Sequence, residues 1–219
     1  MKRILISIFM LAFFLSACAP VTAATSTNPT TAPTQPAAAA GTIVYKIVPG
    51  ESKVSYTVTE TFLNQNNKIN VAVGVTNTIS GQINADKSNP GATTVGPITV
   101  DVSKFVSDSG QRDRMIQRSY LESSTYPTAT FVCKAITGLP TAYTEGTDYT
   151  FQMNGDLTVK TTTQPVTFQV TANLKGDTLS GSATTQVLMS QFGVGPISLL
   201  GILNTEDQVK ITFDFIARP

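Results

Sequence analysis

The sequence predicts an all-β fold for residues 41–219. Apolar and polar residues alternate there with a period of two rather than 3.6, which is the pattern of strands with one buried face. The alternating segments are rich in Val, Ile, Thr, Phe and Tyr, the residues that favour strands. Turn-forming residues separate the segments. The stretch is long enough for one domain with a sizeable core.

Ten segments have the composition and alternation of strands. They are residues 43–48, 53–62, 69–75, 78–85, 95–102, 129–137, 149–159, 166–174, 178–188 and 208–217. Turns are predicted between them at residues 49–50, 89–91, 138–140, 163–165 and 175–177. The turn Lys175-Gly176-Asp177 lies between two regularly alternating segments and gives the strongest hairpin prediction.

The alternation assigns one face of these strands to the core. The aligned inward residues are Val54, Tyr56 and Val58; Ile98, Val100 and Val102; Phe131, Cys133 and Ala135; Phe151 and Met153; Phe168 and Val170; and Ile211, Phe213 and Phe215. An antiparallel sheet with one apolar face must close on itself or pack on another layer. A barrel of about eight strands either fills with side chains or holds one small ligand. A two-sheet sandwich is the alternative.

Residues 108–120 interrupt the strand pattern. They include five charged side chains and no β-branched run, and three apolar residues recur near helical spacing. Asp108 and Gln111 have the separation of the N-cap and N3 positions of a helix. The segment therefore predicts one short helix.

The N-terminus has the pattern of an export signal. Basic residues at Lys2 and Arg3 precede an apolar stretch over residues 4–15, which is too short for the roughly twenty residues of a membrane-spanning helix. The small pair Ser16-Ala17 followed by Cys18 resembles a lipobox, which implies a signal peptide over residues 1–17 and lipid, palmitate included, on Cys18. An ordinary secretory signal is the alternative. We expect an exported lipoprotein, anchored to a membrane and facing the periplasm or cell exterior.

Residues 18–40 are predicted to be a disordered tether. Thr, Ala, Pro and Ser make up almost all of this stretch, which has no charged residue. Such a composition cannot bury enough apolar surface to offset its ordering entropy. The prolines stiffen it toward an extended polyproline conformation.

Charge and histidine content exclude several classes of function. Removing Lys2 and Arg3 leaves 13 basic against 14 acidic residues, so no nucleic-acid surface is expected. The chain has no histidine, which excludes a Ser-His-Asp or Cys-His catalytic arrangement and the usual zinc ligands. We expect a protein that is not an enzyme and that needs no metal or cofactor. Cys133, left alone after lipidation of Cys18, is expected to be a small buried apolar residue.

Four short motifs follow one another through the domain. They are Arg112-Asp113-Arg114-Met115-Ile116, Tyr126-Pro127-Thr128-Ala129-Thr130-Phe131, Asn154-Gly155-Asp156-Leu157-Thr158-Val159-Lys160 and Val166-Thr167-Phe168. In order and spacing they resemble the YceI-like polyisoprenoid-binding family, and further similarity extends the match over essentially the whole of residues 41–219. The resemblance implies an extended antiparallel β-barrel of lipocalin-like shape, secreted or periplasmic, whose interior holds a long isoprenoid chain.

The chain departs from the family at two positions. Members commonly carry histidine where this chain has Glu60 and Met115. Any role of those histidines at a ligand headgroup therefore does not carry over to this sequence.

Two sets of residues are candidates for ligand contact. The first set consists of bulky residues on the inferred inward faces, expected to line a cavity: Tyr56, Val58, Phe131, Phe151, Met153, Phe168 and Phe213. The alternative is that they fill a solid core. The second set is Arg112 and Asp113, because arginine binds phosphate oxygens through two parallel hydrogen bonds. Its alternative is a salt bridge between helix and barrel.

These observations together predict a non-enzymatic carrier of a long-chain isoprenoid or similar amphiphilic lipid, such as a polyprenyl or quinone species. A long chain is favoured because ten buried methylenes contribute ~8 kcal/mol, whereas association costs ~4 to 15 kcal/mol. The expected partners are this lipid and a membrane, and the oligomeric state stays open. The alternative from another class is a β-sandwich interaction module that binds a protein or glycan through its loops.

Overall fold

The computed structural model describes residues 41–219. The predicted signal peptide, the lipidation site Cys18 and the tether over residues 18–40 lie outside the described residues and stay predictions. Within residues 41–219, no helix has the length and apolarity needed to cross a membrane.

The described residues form fourteen strands and one short helix. The strands are β1 (Ile43–Ile47), β2 (Lys53–Phe62), β3 (Lys68–Thr76), β4 (Ile79–Ser80), β5 (Gln82–Ala85), β6 (Thr94–Val95), β7 (Ile98–Asp101), β8 (Thr128–Thr137), β9 (Asp148–Val159), β10 (Thr162–Lys175), β11 (Thr178–Leu188), β12 (Ser198–Leu199), β13 (Leu203–Thr205) and β14 (Gln208–Arg218). Helix α1 (Gly110–Met115) continues as a π-helical turn over Ile116–Tyr120. Short 3₁₀ turns span Leu63–Gln65, Pro90–Ala92, Val102–Lys104 and Met189–Phe192.

All fourteen strands belong to one sheet that curls into a half-barrel. The main path runs β12-β13-β2-β14-β11-β10-β9-β8-β7-β4, with β3 paired to β2 and β1 paired to β14 and β5. The ladders between strands are antiparallel, and β6 joins the sheet through β5. The core lies on the concave side, so the predicted all-β antiparallel architecture is confirmed. The sandwich alternative is wrong, because the described strands do not divide into two sheets.

The prediction of about eight strands is wrong. The ten predicted segments correspond to fourteen strands, because two segments are divided and two short strands were not foreseen. Residues 78–85 split into β4 and β5 at Gly81, where φ is +159° and a Cβ atom would lie 2.4 Å from the Ile98 side chain. Residues 95–102 split around Pro97, which cannot donate to a ladder. Strands β12 and β13 are too short to show alternation.

Turn predictions succeed at one end of β10 and fail at the other. The hairpin at Gly176 is confirmed, because Lys175 pairs with Thr178 across it. The predicted turn at residues 163–165 is wrong, since the chain reverses between Val159 and Thr162 instead. Pro165 lies inside β10, beyond the part of that strand that pairs with β11. A proline is tolerated where a strand has a neighbour on one side only.

The predicted short helix is confirmed, but its cap is not Asp108. Ser109 is the N-cap, and its Oγ accepts a hydrogen bond from the Arg112 backbone N–H at 3.3 Å. Asp108 instead forms an ion pair with the Arg112 side chain one turn later. The helix is thereby attached to the segment that precedes it.

A β-bulge in β8 changes which residues face the core. Phe131, Cys133 and Ala135 were expected to share one face, but the register shifts between Cys133 and Ala135. Phe131 is buried, Cys133 is half-buried and Ala135 is exposed, while Ile136 packs against the core. The extra residue of the bulge reverses the alternation for the second half of the strand.

Candidate functional site

The concave side of the half-barrel encloses an apolar cavity of about 200 Å³, called here the main cavity. Strands β2, β7, β8, β9, β10, β11 and β14 contribute side chains to its wall, and Phe105, Ile116 and Leu121 contribute from the helical side. Among the described residues that line it, only Ser55 and Tyr56 have a polar side chain. Apolar cavities of ~150 Å³ stay dry and bind small hydrocarbons. The main cavity is therefore large enough for part of an apolar guest.

A second cavity of about 120 Å³ adjoins the core and has a more polar lining. Its polar lining residues are Asp86, Lys87, Thr93, Tyr143 and Tyr149. The Tyr143 hydroxyl donates to the Leu174 carbonyl oxygen at 2.7 Å, and the Tyr149 hydroxyl accepts from the Thr144 N–H at 2.8 Å. These bonds hold both phenol rings in place beside the second cavity.

All seven residues predicted to line a cavity lie on the wall of one or both cavities. Tyr56, Val58, Phe131, Met153, Phe168 and Phe213 line the main cavity. Phe151 lines the second cavity, together with Met153 and Phe213. Their contact with a ligand stays a prediction. Phe131 and Phe168 pack edge to face with ring centroids 5.0 Å apart, an arrangement that fixes both rings.

Three glycines leave room for aromatic rings to pack closely against the sheet. A Cβ atom at Gly74 would lie 2.2 Å from the Tyr56 ring, and one at Gly155 would lie 2.7 Å from the Phe131 ring. At Gly181, the corresponding contact is 2.8 Å to Phe215. Two of these rings, Tyr56 and Phe131, form part of the main cavity wall. Glycine at these positions therefore determines where the wall lies.

Arg112 attaches the helix to the inner face of β2. Its Nε and Nη2 each donate to a Glu60 carboxylate oxygen at 2.9 Å, and both side chains are largely buried, with 12% and 3% exposed. The Nη1 group donates to Ser107 at 3.1 Å and to Asp108. This geometry is the salt bridge between helix and barrel that the sequence analysis gave as the alternative to a headgroup contact. A headgroup contact by Arg112 stays a prediction.

Asp113, the other proposed headgroup residue, holds the loop before the helix. Its Oδ1 accepts from the Ser107 N–H at 3.0 Å and from the Ser107 hydroxyl at 2.6 Å. The side chains that line the two cavities include neither Asp113 nor Arg112. Both charges nevertheless lie close enough to Tyr56 to affect its ionisation.

The electrostatics of the site follow from burial and from these charges. Burial, and then the negative charge of Asp113, raise the pKa of Tyr56 to about 12. For Arg112, burial disfavours the charged form and lowers the pKa. Hydrogen bonds to Glu60 and Asp108 outweigh this effect, so the pKa lies above the ordinary arginine value. The phenol of Tyr56 is therefore neutral and the guanidinium is charged at neutral pH.

Sequence reasoning missed the role of Glu60. It continues the inward series Val54, Tyr56 and Val58 on β2, so the alternation alone places a carboxylate on the apolar face. A charge on that face requires a partner. Arg112 supplies it, and Asn70 Nδ2 donates a further bond to Glu60 Oε2 at 3.0 Å.

Cys133 packs at the edge of the core. Its Sγ lies 3.7 Å from the Ala135 carbonyl oxygen, and burial raises the pKa of the thiol. A raised pKa lowers the thiolate fraction and hence the reactivity. Among residues 41–219, no group of three Cys, Asp or Glu side chains is arranged to hold a metal ion.

The fold and the cavities define a half-barrel protein that encloses apolar space. The chain belongs to the YceI-like domain family, whose model matches residues 45–217. No match was found among curated protein sequences.

Solved structures share the fold at low sequence identity. BcnA from Burkholderia cenocepacia has a TM-score of 0.59 at 24% identity, over 78% of this chain and 98% of that chain. A polyisoprenoid-binding domain from Saccharophagus degradans, implicated in plant cell wall breakdown, has a TM-score of 0.59 at 9% identity, over 80% and 97%. A YceI protein from Campylobacter jejuni has 0.52 at 17% identity, over 64% and 81%.

Proposed function

We propose that the protein binds a long isoprenoid chain, or a similar amphiphilic lipid, inside the barrel and does so without catalysis. The observation that carries the proposal is the main cavity, about 200 Å³ of space walled almost entirely by apolar side chains. A structural neighbour named as a polyisoprenoid-binding domain supports the choice of ligand class. In this proposal, a lipocalin-like barrel closes around the bound chain.

The apolar wall supplies the driving force for binding. Burial of hydrocarbon contributes ~0.8 kcal/mol per methylene, or about 4 kcal/mol for the five carbons of an isoprene unit. Association costs ~4 to 15 kcal/mol before any affinity remains. Several isoprene units are therefore needed, which favours a chain over a small hydrocarbon.

The proposed location is the outer face of a membrane. Lipid on Cys18 would anchor the chain, and the tether over residues 18–40 would hold the domain up to ~70 Å away at ~3.1 Å per residue. The barrel would shield the apolar chain from water while the tether keeps it near its source or destination. This arrangement rests on the sequence pattern alone.

Arg112 remains the proposed contact for an anionic headgroup. Glu60 is its buried partner, whereas Asp108, the partner of Nη1, has a side chain that is 76% exposed. A phosphate oxygen could replace Asp108 on Nη1 while both bonds to Glu60 persist. The Nη1 group of Arg112 would then bind the headgroup.

A pair of tryptophan variants tests the proposed function. Ile211 lines the main cavity, whereas the adjacent Lys210 is exposed on the other face of β14. We expect I211W to weaken binding of a four-unit isoprenoid alcohol by about tenfold or more, because the indole fills space that the ligand needs. We expect K210W to bind like the wild type. Native mass spectrometry after incubation with the alcohol measures the bound fraction.

Two results would contradict the proposal. The first is a wild-type protein that takes up no isoprenoid alcohol. The second is equal binding by I211W and the wild type, which would place the ligand outside the main cavity. Because the sequence contains no tryptophan, the indole emission of each variant also reports whether its ring is buried.

A further inference from the structure

Three buried side chains lie between the two cavities. Ile98, Met153 and Phe213 line both the main cavity and the second cavity, and each is less than a tenth exposed. They come from β7, β9 and β14. These three side chains therefore lie at the boundary between the two cavities, called here the partition.

Two members of the partition are held by their neighbours. Phe213 packs against Phe215 with ring centroids 5.4 Å apart. Ile98 is β-branched, and its Cδ1 covers Gly81, where an added Cβ would lie only 2.4 Å away. These contacts restrict the rotamers of both side chains.

Met153 is the movable member of the partition. Its side chain is unbranched and has three rotatable bonds, so it adopts new rotamers at low energetic cost. It faces Phe168 across the β9–β10 ladder. A change of its rotamer would open a passage between the cavities without a change in the backbone.

We propose that Met153 sets the length of chain that the protein accepts, an inference that rests on the proposed function. A short isoprenoid fits the main cavity and leaves Met153 in place. A longer one displaces the Met153 side chain and extends into the second cavity. The affinity gained from each added unit therefore depends on how easily Met153 moves.

Substitutions at Met153 and at a matched methionine test the proposal. Met189 is as buried as Met153, at 8% exposed, but it lines the main cavity only. The probes are isoprenoid alcohols of two, four and eight units with the same hydroxyl end, added to the full-length protein. Competition followed by native mass spectrometry gives the ratio of eight-unit to two-unit affinity.

We expect M153A to raise this ratio by about tenfold, the factor that burial of two further methylenes gives. We expect M153W to lower the ratio, because an indole closes the passage. M189A should shift both affinities together and leave the ratio close to the wild-type value. The same ratio in M153A, M153W and the wild type would overturn the role of Met153 while leaving the proposed function intact. Failure of the wild type to bind any of the alcohols would instead overturn the proposed function.

Xenon provides a readout that needs no isoprenoid and no tryptophan variant. It enters dry apolar cavities in crystals under pressure. Wild-type crystals should show separate xenon sites in the two cavities, and M153A crystals should show continuous density between them. Separate sites in M153A would contradict the assignment of Met153 as the movable partition.

Discussion

The main cavity has two walls that are held in place by different interactions. Strands β9, β10, β11 and β14 form a wall joined by long, continuous ladders of backbone hydrogen bonds. The opposite wall includes Phe105, Ile116 and Leu121, from the segment that contains the helix. Fewer bonds attach this segment to the sheet: Val106 exchanges two backbone hydrogen bonds with Val75, at 2.8 and 2.9 Å, and the Arg112 side chain binds Glu60.

The difference indicates which wall can open. A sheet wall opens only when several ladder bonds break together, whereas a wall attached by one backbone bridge and a few side chains can open in a local transition. The helical wall is therefore the expected route of ligand entry. Substitutions in the two walls should separate local opening from global unfolding.

The largest effect is expected from loss of Arg112. R112A leaves the Glu60 carboxylate, only 3% exposed, without its cation. Removal of one member of a buried ion pair costs about 3–5 kcal/mol. We expect a lower free energy of unfolding in urea, together with faster hydrogen exchange at Phe105 and Ile116 than in β10.

An exposed arginine–glutamate pair that also forms two parallel hydrogen bonds provides the control. Arg218 Nη1 and Nη2 donate to the two Glu51 oxygens at 2.7 and 2.8 Å, with nearly half of each side chain exposed. R218A should change stability little, because water solvates the remaining carboxylate. Equal losses in R112A and R218A would contradict the role assigned to burial. The double variant R112M/E60M should recover much of the loss.

The next effect concerns Tyr56, which packs on Phe105 with ring centroids 5.3 Å apart. Its pKa of about 12 exceeds the ~10 of tyrosine in an unfolded chain, so the unfolded state releases this proton first. Stability is therefore unaffected by this group below pH ~10 and falls between pH ~10 and ~12, by about 2–3 kcal/mol. Urea unfolding of the wild type and Y56F across this range measures the difference. Parallel pH profiles of the two proteins would show that Tyr56 does not titrate in this way.

The smallest effect is expected from alanine substitutions at two glycines beside the two walls. A Cβ at Gly155 would lie 2.2 Å from the Val132 carbonyl oxygen, which belongs to the backbone of the sheet. At Gly74 the three nearest atoms all belong to the Tyr56 side chain, which is less rigid than backbone. We expect G155A to cost about 1–3 kcal/mol and G74A to cost less. Thermal unfolding of both variants checks the order, and a larger loss in G74A would contradict it.

Most of the strands could be predicted from the sequence because their alternation is long and regular. The predicted bounds of β2 and β11 match the structure, and the hairpin at Gly176 follows from its turn residues. Of the two divided strands, the one broken at Gly81 could not be predicted, because that break involves a close tertiary contact with Ile98, whereas Pro97 is a local signal for the other break. The β8 bulge has no local sequence signal, and it reversed the faces expected for Ala135 and Ile136.

The candidate site was predicted in part. The bulky inward residues do line the cavities, but nothing in their alternation distinguishes a cavity from a solid core. Strand β3 shows why: Ile69, Val71 and Val73 are exposed, whereas Ala72 and Gly74 face inward. The small inner residues of β3 leave room for the Tyr56 ring, so the apolar pattern there indicates a strand but not its inner face.

The central claim is that the barrel holds an isoprenoid chain, and the most direct test is the mass of the purified protein. The full chain would be expressed, purified without denaturant and measured by native mass spectrometry, followed by extraction into organic solvent. We expect one bound molecule per chain whose mass corresponds to several isoprene units. A ligand-free protein that unfolds cooperatively, yet takes up neither added polyprenols nor quinones, would contradict it.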